Sequence, residues 1–248
     1  MLERVIDLLF EEAGGEVPQQ ISRLNKDEQF RALCNIRPPI PVSEEFLLLQ
    51  NGYLQQKTQE RLIVDVDTLK FSEGIALWQG DITRLNSDAI VNACNSALLG
   101  CFHPLHNCID NIIHTFAGVQ VRLDCHKLMK GAQLPNGDVM VTSAYNLPSH
   151  YIFHTVGPIV RDHFPTDQNQ ADLKTCYLNC LNEGKKKNIK TIAFCCLSTG
   201  VYGYPKQEAA RLAVSTVKNW LAKEDELKVI FNVFADDDKF YYEQELSN

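Results

Sequence analysis

The chain has 248 residues, 45% of them hydrophobic and 22% charged, which excludes a disordered or fibrous protein and suits one large domain or a domain with an extension. Its net charge of −7 disfavours broad contact with DNA or RNA, because such binding relies on Lys and Arg neutralising phosphates. No apolar run has the length of a membrane span, and the start, Met1-Leu2-Glu3-Arg4-Val5-Ile6-Asp7, carries acids inside its apolar pattern. A cytoplasmic protein without a secretory signal is expected, and its nine cysteines are not expected to form a disulfide framework.

Residues 1–60 read as a helical N-terminal extension. Val5, Ile6, Leu8, Leu9 and Phe10 predict a short amphipathic helix ending near Gly14-Gly15. A second helix is expected over 22–35, with Phe30, Leu33 and Cys34 as its apolar side, and Pro38-Pro39-Ile40-Pro41 breaks it. Ser43 is placed to cap a third. This section carries no obvious chemistry, and a structural role is its expected one. Residues 61–248 then alternate. Strands are expected at 62–64, 75–78, 89–93, 139–142, 151–154, 191–197 and 228–234, and helices at 109–129, 168–186, 206–223 and from 237 onward. Strands alternating with helices predict a layered α/β fold with a largely parallel sheet. In such folds ligands bind beyond the carboxyl ends of the strands. Gly80-Asp81, residues 92–108, residues 198–203 and Phe234 all fall there.

Two of these segments carry chemistry. Cys101, His106 and Cys108 place three soft donors within eight residues, with no obvious fourth Cys. Structural zinc is usually closed by four protein ligands, whereas catalytic zinc keeps one position open, so a catalytic ion fits this set better. Pro104 stiffens the segment, and the predicted helix start at Asn107 or Cys108 favours a thiolate at Cys108. The spacing is not that of a zinc finger, and donor chemistry alone fits three unrelated loop residues equally well. His103 is the competing imidazole, whereas a straight helix would carry Cys125 about 25 Å away. His114 and His154 lie within helix and strand patterns and read as core or surface histidines. Cys176, Cys180, Cys195 and Cys196 read as core, and Lys185-Lys186-Lys187 suit a helix end.

The second segment, Ser198-Thr199-Gly200-Val201-Tyr202-Gly203, has glycines that permit positive φ and close backbone approach. Consecutive amides there form an anion nest, so an acidic protein can hold a diphosphate with few lysines. The Gly-Lys-Ser/Thr ending of a nucleoside-triphosphate loop is missing.

Four blocks together, Gly80-Asp81-Ile82-Thr83, Ala89-Ile90-Val91-Asn92-Ala93-Cys94-Asn95, His154-Thr155-Val156-Gly157-Pro158 and Ser198-Thr199-Gly200-Val201-Tyr202-Gly203, resemble a macrodomain, the ADP-ribose-binding fold. The run from Gly100 through Asn111 further resembles the zinc-dependent macrodomains, which are protein ADP-ribosyl hydrolases. The resemblance covers roughly residues 60–245 and extends to the helical N-terminal section. It implies a three-layer α/β/α macrodomain over 61–248 with a mixed, largely parallel central sheet. It implies that Asp81 and the Ile82 backbone meet adenine, with Phe234 packed nearby. Asn95 would contact the distal ribose, and Ser198, Thr199, Gly200, Val201 and Tyr202 would wrap the diphosphate. Cys101, His106 and Cys108 would bind Zn2+, and with Asn95 would carry catalysis. The implied reaction removes mono-ADP-ribose from a modified protein side chain, acidic-residue linkages being favoured. By analogy the partners are an ADP-ribosylated protein such as a lipoyl-carrier protein and a sirtuin-like ADP-ribosyltransferase. The rival reading is a non-catalytic ADP-ribose reader, which needs the adenine and diphosphate contacts but not the three metal donors.

Overall fold

The computed structural model describes residues 1–14, 17–224 and 226–247. Three helices come first: α1 (Leu2–Glu12), α2 (Lys26–Ile36) and α3 (Glu44–Glu60). The expected stop at Gly14-Gly15 is only half open to comparison, since Gly15 lies outside the described residues, but α1 is complete by Glu12. Caps explain where the other two begin. The Asn25 side chain accepts from the Glu28 amide while Glu28 reaches back to the Asn25 amide, a reciprocal capping box. Ser43 Oγ accepts from the Phe46 amide at 3.1 Å. The three helices enclose an apolar cluster of their own, including Val5, Ile6, Leu9, Phe30, Phe46 and Leu54, and Val119 joins it from the rest of the chain.

The strands that follow are β1 (Ile75–Gln79), β2 (Ala89–Ala93), β3 (Val139–Ser143), β4 (Tyr151–Thr155), β5 (Thr191–Phe194) and β6 (Lys228–Val233). They form one sheet in the order β1-β6-β5-β2-β4-β3, parallel throughout except for β3, which runs antiparallel to β4 at an edge. The helices among them are α4 (Ile109–Ala117), α5 (Val119–Met129), α6 (Asp167–Lys186), α7 (Lys206–Leu221) and α8 (Asp236–Ser247). α6, α7 and α8 pack together on one face, while α4 and α5 pack on β2 and β3 from the other. The first three helices lie outside α4, which α2 and α3 both contact. β2, β5 and β6 are covered on both faces, so their side chains form near-continuous apolar runs such as Ile90-Val91 and Val229-Ile230-Phe231. Among the described residues no helix is long and apolar enough to cross a membrane.

Two elements differ from expectation. Residues 62–64 are not a strand: Leu62 has φ 59° and is 72% exposed, and only Val64 forms a single bridge, to Leu85. The chain reverses there as it leaves α3, and an apolar triplet without alternation does not distinguish a strand from a turn. The helix expected over 109–129 is two helices, because Gly118 takes φ 99°. Gln50 of α3 occupies the break, accepting from the Val119 amide at 2.9 Å. A Cβ at Gly118 would lie 2.8 Å from both Gln50 Nε2 and Gln120 Oε1. Gly118→Ala is therefore expected to cost about 1–3 kcal/mol in urea unfolding, from its left-handed backbone and this crowding together.

Candidate active site

Sheet order sets the site. Reading across neighbouring strands, Gly80-Asp81 follows β1, Phe234 follows β6, Ser198 lies past β5, Asn95 past β2 and Gly157 past β4. Five parallel strands thus deliver their carboxyl ends to one edge, where ligands of open α/β sheets bind.

At one end of this row Asp81 caps a single 3-10 turn, Ile82–Arg84, its Oδ1 accepting from the Thr83 amide at 2.9 Å and the Thr83 hydroxyl at 2.6 Å. Its other oxygen is paired with Arg61, which leaves α3 and stacks over the Phe116 ring at 3.6 Å. Arg61 Nη2 also donates to Thr83 Oγ1 at 2.8 Å, while its Nη1 is buried without a partner. Burial lowers the Arg61 pKa, and the adjacent Asp81 works against that shift. Ile82 itself is buried. Phe234 is 77% exposed past β6, its carbonyl held by Gln79 Nε2 at 3.3 Å.

In the middle lies the glycine loop. Gly203 has φ 70°, and a Cβ there would meet the Val160 carbonyl at 2.8 Å. The other left-handed residue is Ser198 (φ 64°), not Gly200 as the composition suggested. Gly200 instead faces open space, with nothing within 4 Å of where a Cβ would project. Ser198 Oγ is buried, without a hydrogen-bond partner, and it lies where a Cβ on Gly157 would be. Thr199 Oγ1 donates to the Cys196 carbonyl (3.1 Å), Val201 is exposed, and Tyr202 ties the loop to its neighbours. The Tyr202 carbonyl accepts from the Val160 amide at 2.7 Å, and its hydroxyl reaches the Cys94 carbonyl at 3.4 Å.

Past β2, between the exits of β5 and β4, Asn95 holds a turn, its Nδ2 donating to the Gly100 carbonyl (3.0 Å) and its Oδ1 accepting from the Ala97 amide (3.1 Å). The segment that follows brings together Cys101 Sγ, a ring nitrogen of His106 and Cys108 Sγ, all within 4.8 Å of one another. Cys101 Sγ and His106 Nδ1 are 3.5 Å apart. A tetrahedral zinc ion would set such donors roughly 3.5–3.8 Å apart, so the set is close to the size an ion needs. His106, not His103, is the imidazole gathered with the thiols; the His103 ring is 6.0 Å from that of His106, centroid to centroid.

The expected thiolate at Cys108 is not what the fold favours on its own. Burial pushes that thiol up to about 11, and the Asn111 amide on its sulfur, at 3.4 Å, is too little to reverse it; Cys101 and Asp110 push the same way as burial. Sequence reasoning missed three residues around this loop and one beside Asp81. Arg31 and Asn35 of α2 and Asn111 of α4 bond its backbone, as Arg61 bonds Asp81. Their partners lie up to 75 positions away in sequence, and no local pattern marks them.

Beneath β2 lies a buried polar cluster. Asn92 Nδ2 donates to Asp110 Oδ1 (2.8 Å) and to His154 Nδ1 (3.2 Å), so His154 carries its proton on Nε2 and donates to Thr142 Oγ1 at 2.9 Å. Asp110, in the first turn of α4, turns to Asn92 and to His114 (3.5 Å) rather than to Cys101, His106 and Cys108. Burial holds His154 down at about 3 and lowers His114 well below its usual range, with Arg122 and His154 adding to the effect on His114. Burial raises Asp110 to about 6 against the opposing Asn92 bond and Arg122 charge. Cys125, at 0% exposure, sits 3.8 Å from His154 Nε2 and is core, as are Cys176, Cys180 and Cys195.

Comparison with known proteins places this arrangement. Residues 91–213 match the Macro domain family model. A protein-ADP-ribose hydrolase of Treponema medium is 45% identical over 234 residues, spanning 90% of this chain and 89% of that protein. A protein-ADP-ribose hydrolase of Staphylococcus aureus (strain MRSA252) is 47% identical over 222 residues, 88% of this chain and 83% of its own. Among solved structures, a mutant Oceanobacillus iheyensis macrodomain with ADPR superposes with a TM-score of 0.65 at 36% identity, over 70% of this chain and 91% of that one.

The buried histidines set a test by pH. His154 is neutral in the fold at pH above about 3 but titrates near 6.5 when unfolded, so unfolding below pH 6.5 takes up a proton. Its stabilising contribution is complete above 6.5 and fades as pH falls toward 3; His114 acts in the same sense. Asp110 acts oppositely between its unfolded value of 3.8 and its folded value of about 6, where the fold retains a proton that the unfolded chain has lost. His154→Gln removes one proton of uptake, so between pH 6 and 4 its unfolding free energy should change less steeply than that of the parent. The difference, read by urea unfolding, is expected to be about 1.4 kcal/mol per pH unit.

Proposed function

We propose that this chain, which belongs to the Macro domain family, is a protein-ADP-ribose hydrolase that uses zinc held by Cys101, His106 and Cys108 to release mono-ADP-ribose from modified side chains. The convergence of those three donor atoms within 4.8 Å, on the loop that leaves the Asn95 turn, carries the reading. A module that only reads ADP-ribose needs no such set. The relatives' names support hydrolysis of a protein-bound ADP-ribose, and their lengths match this chain nearly end to end.

The residues divide the task. Asp81 Oδ2, already facing a cation, can accept from the adenine amino group beside Arg61, with the Ile82 backbone adjoining and Phe234 offering an exposed ring. The orphaned Ser198 hydroxyl, the open flank of Gly200 and the Thr199-to-Tyr202 backbone suit the diphosphate, since a buried hydroxyl without a partner costs roughly 1–3 kcal/mol until something bonds it. Asn95 and the metal loop would then face the distal ribose, whose anomeric bond is cleaved. Bound zinc supplies a nucleophilic water near neutral pH or polarises a ribose oxygen. Cys108 must release its proton to take part, and burial makes that thiol a reluctant acid, so metal loading should release protons. An acidic-residue linkage, a lipoyl-carrier substrate and a sirtuin-like transferase partner follow from the family resemblance. Nine unpaired cysteines accord with a reducing compartment, which we take to be the cytoplasm.

Release of ADP-ribose from mono-ADP-ribosylated proteins with aspartate/glutamate or arginine linkages, before and after chelation and zinc return, tests the proposal. Release should stop on chelation and resume with zinc. Cys108→Ala should lose metal and at least about 100-fold of the turnover while ADP-ribose affinity stays within about twofold. Asp81→Ala should weaken ADP-ribose about 10- to 100-fold with metal content unchanged. Tight ADP-ribose binding with no release from either linkage would make the protein a reader instead.

A further inference from the structure

The three metal donors hang on a segment, residues 100–108, that contains neither helix nor strand. Leu98 just before it, and Gly100 and Leu105 within it, have φ of 59°, 79° and 58°. One turn bond lies within it, from the His106 amide to the His103 carbonyl at 3.2 Å, and this spans only part of the run from Cys101 to Cys108.

Other bonds reach the run from α2 and α4. Asn111, fully buried on α4, donates through Nδ2 to the His103 carbonyl (3.0 Å) and the Cys101 carbonyl (3.5 Å). The Asn111 amide meets Cys108 Sγ, and its side-chain oxygen receives two bonds from Arg31 of α2, at 2.9 and 3.2 Å. Arg31 Nη2 also donates to the His106 carbonyl at 2.8 Å. One turn along the same face of α2, Asn35 accepts from the Leu105 amide at 3.0 Å and donates to Thr115 Oγ1 at 3.3 Å. The Leu105 side chain packs against the N-terminal apolar cluster. Every donor residue therefore lies one bond from an Arg31–Asn111 hub.

We propose that Arg31 and Asn35 are positioning residues for the metal site, so that the N-terminal helical layer presets the separation of Cys101, His106 and Cys108. This rests on the zinc reading above. A loop already ordered loses little chain entropy on taking up the ion, and groups that orient metal ligands typically change affinity 10- to 100-fold when removed. Arg31 suits the role because its planar fork holds a carbonyl and an amide oxygen in one fixed relative geometry, which the flexible point-charge ammonium of a lysine does not impose.

Arg31→Met keeps the apolar stem and removes the fork. Zinc affinity, measured by competition with a chromogenic chelator, should fall 10- to 100-fold. The d–d spectrum of the cobalt-substituted protein should change, and Arg31→Lys should recover the affinity only in part. ADP-ribose affinity by calorimetry and the melting temperature of the metal-free protein should stay close to the parent values. Zinc affinity within about twofold of the parent in Arg31→Met would overturn the proposal, as would a joint fall of zinc affinity, ADP-ribose affinity and metal-free melting temperature. A parent protein that takes up no zinc at all would remove the metal reading itself, and this inference with it, whereas equal zinc binding by parent and variant removes the inference alone.

Discussion

A β-ladder satisfies its backbone only as far as it extends; past the last pair, every amide and carbonyl needs a new partner. Here five parallel strands stop at one edge, so five chain exits must be satisfied in a single row. They do so largely through one another. The Gly80 amide returns to the Val233 carbonyl (2.9 Å) and the Cys94 amide to the Thr155 carbonyl (3.1 Å), while Tyr202 ties the exit of β5 to that of β2 and to the loop after β4. Short side-chain caps complete the turns, with Asp81 on Thr83 and Asn95 on Ala97. The binding surface is what remains of this mutual satisfaction: the Ser198 hydroxyl left without a partner, and the face of Gly200 left uncovered.

The same constraint explains why the N-terminal helices matter. Two exits, the outermost one after β1 and the interior one after β2, are gripped from the helical layer. Arg61, just past α3, holds Asp81 at the β1 end, while Arg31 and Asn35 of α2 hold the loop that follows β2. Gln50 caps α5, and the return contact runs from Arg122 Nη1 to the Cys34 carbonyl at 2.8 Å. Arg31, Arg61 and Arg122 all lose solvent in these contacts, and burial lowers the pKa of each. Guanidinium tolerates this because it stays charged and bonds several acceptors at once. A section that reads as bland amphipathic helix is thus bonded to both the Asp81 turn and the loop that carries Cys101, His106 and Cys108.

What the sequence disclosed follows from how far each signal reaches. Alternation and capping are local, so β1 to β6, the Ser43 cap and a largely parallel sheet were within reach of pattern reading, as was the gathering of Cys101, His106 and Cys108 within one short run; the antiparallel edge at β3 was not. The break at Gly118 escaped because a lone glycine inside a helical pattern need not end the helix, and the Gln50 that bonds the new helix start lies in a different helix. The triplet at 62–64 misled because apolar residues can sit exposed at a reversal without breaking any local rule. The choice between His103 and His106 depended on which backbone carbonyl Asn111 and Arg31 capture, a tertiary fact. Cys108 shows local reasoning failing on magnitude: the helix start does offer its sulfur an amide, yet desolvation outweighs it.

Charge completes the division of labour. The chain carries −7 overall, which would repel a diphosphate if that charge were spread through the cleft. It is not. Asp81 faces Arg61, Asp237 and Asp238 face Lys206 at 2.9 and 3.0 Å, and Asp110 is sealed beneath β2 with its pKa raised toward neutrality. Several acids near the exits are therefore matched or buried, and the glycine loop can meet an anion with backbone and hydroxyl dipoles. Dipoles fixed in a folded loop need no mobile cations to be drawn in, and they follow the shape of a diphosphate rather than its charge alone. On the proposed reading, recognition belongs to backbone that the sheet defines, whereas metal binding belongs to three side chains on a segment that contains neither helix nor strand. On that reading, the difference between holding ADP-ribose and cleaving it rests on a stretch whose backbone is bonded from other elements. That stretch takes its geometry from α2.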